Sequence, residues 1–163
     1  MIQPPAASAY EIVTALHIMA VVAAFGVTFA YPIIFAVGAK AQPRALPLLH
    51  RIEYSIERRL VNPALVVVLG AGIYLASDGH HWSEFFVQWG FAAVIVIGAL
   101  VGSVMIPTSK KAEQAAERDI AAAGDGEVVM GEEYQGLVRR LQIVGTSLSL
   151  LVLVTILFMV IKP

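Results

Sequence analysis

From Ile12 to Val37 the chain runs about 26 residues without an Asp, Glu, Lys or Arg. As a helix this rises roughly 39 Å, enough to cross a bilayer at a tilt. Hydrocarbon offers no water to the backbone, so a segment at that depth must close its own hydrogen bonds as a helix. Three further apolar blocks follow, Leu60–Ala76, Phe85–Ile106 and Leu141–Ile161. They rise about 25, 33 and 31 Å respectively. The chain is 58% hydrophobic and 14% charged. A soluble domain carries about 25% charged residues. The expected fold is all-α, an integral membrane four-helix bundle with amphipathic cytoplasmic helical extensions. A single four-span domain is expected over 1–163, with spans at about 9–37, 60–76, 85–106 and 141–161.

Local signals divide the spans. Met1–Ser8 reads as a short tail, with Pro4-Pro5 outside any helix interior and Ser8 as an N-cap. Pro32 should kink the first helix, and Gly38, Lys40 and Pro43 should end it. Between Arg44 and Arg59, Leu49, Ile52, Ile56 and Leu60 recur at helical spacing. His50, Arg51, Glu53, Glu57 and Arg58 fill the other face, so this is an amphipathic helix at the membrane surface. Asn62-Pro63 marks a bend near the start of the second span. Ser77–Ser83 is a polar turn, and Trp82 with Tyr74, Phe85 and Trp89 makes an interfacial aromatic belt. The third span is expected to stop at Pro107, with a soluble helix over Thr108–Ala123. Three glycines then break the pattern before Glu132–Arg140 leads into the fourth span. The N-terminus has no Lys or Arg. Its apolar block far exceeds a signal h-region of about 7–15 residues, so it reads as a permanent span.

Charge sets the expected orientation. Lys40, Arg44, Arg51, Arg58 and Arg59 lie between the first two spans, and Lys110, Lys111, Arg118, Arg139 and Arg140 between the last two. Of the 11 Lys and Arg, only Lys162 lies elsewhere. By the positive-inside rule both connections are cytoplasmic. The expected location is the bacterial inner membrane, multi-pass, with both termini and the Ser77–Ser83 turn outside. The net charge of −1 offers nothing for nucleic acid. The absence of cysteine excludes disulfides, thiolate metal sites and Cys-held haem or iron–sulfur groups.

His17 is the ionisable side chain within the spans, roughly 12 Å inside the outer end of its helix. Thr14, Val21, Ala24 and Thr28 share its face. It reads either as a haem ligand or proton-relay group, or as a neutral imidazole bonded to a neighbouring helix. His80-His81 on the polar turn, with Asp78 and Glu84, forms a weak candidate metal site or a plain polar turn. His50 reads as a solvated surface histidine. Arg58-Arg59 suits a propionate, a lipid phosphate or an acidic side chain, or simple snorkelling. Gly98-x-x-x-Gly102 with Ser103 allows close helix approach, within the bundle or to another copy. No span carries a central acidic or basic residue, which disfavours a proton-driven transporter.

The segments ALHIMAVVAAFGVTFAYP (Ala15–Pro32), ERRLVNPALVVVLGAGIYL (Glu57–Leu75), GALVGSVMIP and LFMVIKP (Leu157–Pro163) resemble a bacterial domain-of-unknown-function family of small four-span integral membrane proteins. The first two helices are more distantly similar to HemJ-type protoporphyrinogen oxidases and the CopD copper-resistance membrane domain. That likeness implies b-type haem held by His17, with Arg58 and Arg59 on the propionates. The third helix reads FFVQWGFAA where the HemJ-type pattern has W-L-H-x-K. A second ligand is then expected from His80, His81 or the His17 of a second copy. The leading expectation is a non-enzymatic or accessory membrane protein, with the bilayer, further copies or membrane subunits as partners and no assured cofactor. The alternative is a haem b redox protein.

Overall fold

Ser8 opens the first helix as expected. Its hydroxyl accepts from the Glu11 amide at 3.2 Å, and the Glu11 carboxylate accepts from the Ser8 amide at 2.8 Å, a reciprocal capping box. The computed structural model describes residues 7–163, which hold no strand; Pro4-Pro5 lies outside the described residues. The helices are α1 (Ala9–Phe25), α2 (Tyr31–Ala41), α3 (Leu46–Ile56), α4 (Asn62–Asp78), α5 (Phe85–Leu100), α6 (Ile106–Ala123) and α7 (Glu132–Ile161). They join into four long apolar runs, Ala9–Ala41, Pro43–Asp78, Phe85–Ala123 and Glu132–Ile161. The chain is a four-span membrane protein, and its spans meet lipid.

The first three runs are each jointed near a proline, Pro32, Pro63 and Pro107, while Glu132–Ile161 has none and runs unbroken. Pro lacks an amide hydrogen, and its ring crowds the carbonyl four residues back. Before Pro32 the chain tightens into a 3₁₀ turn over Val27–Phe29, where the Thr28 hydroxyl donates to the Phe25 carbonyl at 2.7 Å. Before Pro63 and Pro107 it widens instead, into π-helical turns at Glu57–Val61 and Val101–Met105. Both π turns end two residues before their proline. The widened turn takes up the ring's displaced carbonyl without ending the helix. The expected stop at Pro107 therefore does not occur, and the third helix continues to Ala123. The glycine-rich break after Ala123 is real, and Gly124 has a φ of 54° that favours glycine.

Lipid tails leave no hydrophobic drive between helices in a bilayer, so packing rests on close fit and hydrogen bonds. α1 lies along α4, with Ala20 and Ala24 buried on one side and Ala64 and Val68 on the other. α5 lies along α7, where Gly90 leaves room for the Met159 methyl. Trp89 donates to the Thr155 hydroxyl at 3.1 Å across this pair, and its ring meets Phe158 edge-on. Ala76 joins the two pairs at one end through Phe86 and Val87. At the Lys/Arg-rich end, Leu46, Ala112, Ala115, Ala116 and Tyr134 build a second core, backed by Phe35 and Leu49. The helices there form a packed layer beyond the apolar blocks. Gly98 and Gly102 lie outside both cores: each is exposed, and among the described residues a Cβ on either would meet nothing within 4 Å.

Gly90→Leu should lower unfolding stability in detergent by about 1–3 kcal/mol, because the added bulk meets Met159. Gly70→Leu should change nothing, since a Cβ there has nothing within 4 Å. Equal melting shifts in the two variants would contradict the α5–α7 pairing.

Candidate functional site at the Lys/Arg-rich end

The amphipathic stretch Arg44–Arg59 folds as a helix whose inner face is mixed, with His50 and Glu53 buried beside Leu46, while its outer face carries Ile52 beside Arg51. Ile52 is 45% exposed while His50 and Glu53 are buried at 2% and 7%. The expectation of a solvated His50 is corrected here. α3 packs on α6, whose small Ala112, Ala115 and Ala116 let it come close. That approach carries His50 and Glu53 inward against Ser109 and Tyr134.

These side chains form a directed hydrogen-bond chain. With its proton on Nδ1, His50 donates to the Ser109 hydroxyl at 3.2 Å. Ser109 donates to Glu53 Oε2 at 3.0 Å, and that oxygen also lies 3.5 Å from His50 Nδ1. Tyr134, from α7, brings its hydroxyl to 3.5 Å from His50 Nε2, where it donates at the outer limit of a hydrogen bond. The His50 ring is further held against Phe35, with centroids 4.6 Å apart. Buried polar groups are costly unless paired, and this chain pairs them while tying three helices together. Its chemistry is that of a clamp. Thr108 is buried beside it, and the Tyr31 hydroxyl is buried without a hydrogen-bond partner among the described residues.

Ion pairs brace the rim. Arg51 reaches from α3 to Glu113 at 2.6 Å and to Glu117, both on α6. Arg44 donates to the carbonyls of Gly124 and Gly126 at 2.6 and 2.8 Å, which fixes the turn after α6. Asp119 accepts from the Gly131 amide at 2.8 Å, and Arg118 pairs with Glu133 at 2.8 Å.

The residues singled out from sequence do not converge. His17 is half-buried between α1 and α4, and its Nδ1 lies 3.1 Å from the Val68 carbonyl. Gly72 faces the His17 ring, and a Cβ there would sit in van der Waals contact with it at 3.6 Å. Arg58 and Arg59 are exposed, about 15 Å of helix rise from Val68. His80 and His81 lie on the opposite turn, about 18 Å of rise from Val68. His80 bonds the Asp78 carbonyl at 3.1 Å, and His81 packs on Phe86. Among the described residues no three His, Asp or Glu side chains gather as a metal site. The His50 cluster is what sequence reading missed. Ser109 followed by Ala112, Ala115 and Ala116 was the available signal, a small-residue face inviting a helix to pack.

Comparison of the chain with protein-family models, with curated proteins and with solved structures returns no match.

His50→Leu and Glu53→Leu should each destabilise the folded protein by about 1–3 kcal/mol, because each leaves a buried polar partner unsatisfied. The double variant should cost less than the sum of the two. Additive losses in denaturant titrations would show that the two groups are not coupled.

Proposed function

We propose that this four-span protein is a non-enzymatic, accessory component of the bacterial inner membrane that associates with itself or with partner subunits. The observation carrying this reading is an open face of the third run, at the end of α5 and in the π turn that follows it. Gly98 and Gly102 are spaced for close helix approach, yet nothing among the described residues comes within 4 Å of a Cβ position on either. The nearby Ser103 hydroxyl is already spent on the Ala99 carbonyl at 2.6 Å, so the face offers shape rather than a free polar group. The polar cluster at the Lys/Arg-rich end is closed around its own partners, as in a structural element. The family resemblance of Ala15–Pro32 and Glu57–Leu75 accords with this reading. The positive-inside rule places the Lys/Arg-rich end in the cytoplasm and both termini outside.

Single cysteines test association and orientation together, since the chain has no native cysteine. Gly98→Cys should cross-link into a dimer in native membranes, and Gly98→Leu should lose the oligomer without lowering monomer stability. Ser83→Cys should label from outside, and Asp125→Cys only after the membrane is opened. No cross-link with an unchanged size for Gly98→Leu would remove self-association. The reverse labelling pattern would overturn the orientation.

A second reading is favoured by one geometric feature of His17. A ligating histidine commonly gives its other ring nitrogen to a backbone carbonyl, and His17 Nδ1 stands on that of Val68. This leaves Nε2 for a b-type haem, which would supply one-electron redox chemistry. The fit within one copy is incomplete, because His80, His81, Arg58 and Arg59 all lie well away along the helix. The second ligand would then be the His17 of a second copy. This reading expects a Soret band in the purified protein that His17→Ala abolishes while the helical content stays. A colourless preparation that does not shift the spectrum of added haem would remove it.

A further inference from the structure

A helix that leaves a bilayer for water turns its polar side chains outward. α3 turns two of them, His50 and Glu53, inward, and presents Leu48 and Ile52 outward beside Arg51 and Ser55, at 57% and 45% exposure. This outward face continues through Ile56 to Leu60, itself 45% exposed, and so into the lipid-facing surface of the second span. A shallow groove along it is lined by Leu48, Ile52, Ser55, Ile56, Arg59 and Leu60, with Arg51 at its edge.

Arg59 is the free cation in that groove. Arg51 is committed to Glu113 and Glu117, Arg44 to two carbonyls and Arg118 to Glu133. Lys110 lies over the Tyr54 ring at 5.4 Å. Arg59 is exposed and holds no hydrogen bond or ion pair among the described residues. Depth also matters. Counting back from Asp78 at the far end of α4, about 20 residues of helix span the roughly 30 Å hydrocarbon core. They end at Arg58-Arg59, where lipid phosphates begin. An arginine fork matches a phosphate in two parallel hydrogen bonds.

We propose that the face of the second run around Arg59 is a binding site for an anionic phospholipid, with the phosphate on Arg59 and the acyl end along Ile56 and Leu60. Ile56 and Leu60 then meet the boundary between headgroups and acyl chains. Charge complementarity selects an acidic lipid over a zwitterionic one, because a single guanidinium with no protein counter-ion is left to balance. This inference is independent of whether the third span associates with another copy.

Native mass spectrometry of the full chain, released from detergent with dioleoylphosphatidylglycerol or dioleoylphosphatidylcholine, tests it. The wild type should retain phosphatidylglycerol over phosphatidylcholine. Arg59→Gln should lower that retention about fivefold. Arg139→Gln, an equally exposed cation on α7 at the same end, should leave it unchanged. Circular dichroism should be the same for all three proteins, because neither arginine has a partner to lose. Equal retention of the two lipids by the wild type, or equal loss in Arg139→Gln, would overturn the site. So would a dimer that Ile52→Glu dissociates while lipid retention ignores Arg59, since that assigns the face to a second copy.

Discussion

A backbone in hydrocarbon has no water to turn to, and the rest of the structure follows from that constraint. It makes each span a helix, and it makes every interruption of the helical ladder need a local remedy. Three prolines interrupt it. Around Pro32 a tight turn and the Thr28 hydroxyl take up the slack, and around Pro63 and Pro107 the helix widens by one residue. The two widened turns fall where the apolar blocks give way to the polar layer. They are the joints at which the spans become the helices of the Lys/Arg-rich end.

Within the bilayer the spans pack as two pairs, held by small residues and by Trp89 on Thr155. The polar end binds the pairs to each other through an alanine-rich core and the chain from Tyr134 through His50 and Ser109 to Glu53. Because that chain draws His50 and Glu53 inward, Leu48 and Ile52 are left on the outer face that leads to Arg59. The buried clamp and the exposed groove are two consequences of one helix orientation.

The spans, the Ser8 cap and the glycine break were legible in the sequence because each rests on local chemistry. The orientation of α3 was not. In a soluble protein the apolar face of an amphipathic helix points to the core, but beside a bilayer the outside is apolar too, and periodicity alone does not say which way the face turns. His50 was misplaced for that reason. A partner for His17 was foreseen on physical grounds, since a buried imidazole needs one. That the partner would be the Val68 carbonyl needed the pairing of α1 and α4. Gly98-x-x-x-Gly102 matched the spacing for close packing, yet Gly38 and Gly90 are glycines at which a Cβ would run into a side chain of another helix, Leu49 and Met159 respectively. A small residue permits approach without naming what approaches.

The central claim is that the helices run past the bilayer into a packed layer closed around His50. Hydrogen exchange of the full chain in lipid nanodiscs tests it most directly. The account predicts that amides of α3 and the first half of α6 exchange slowly, like those of the spans, while residues 79–84 and 124–131 exchange fast. Exchange in α3 and α6 as fast as in the 124–131 turn would contradict it.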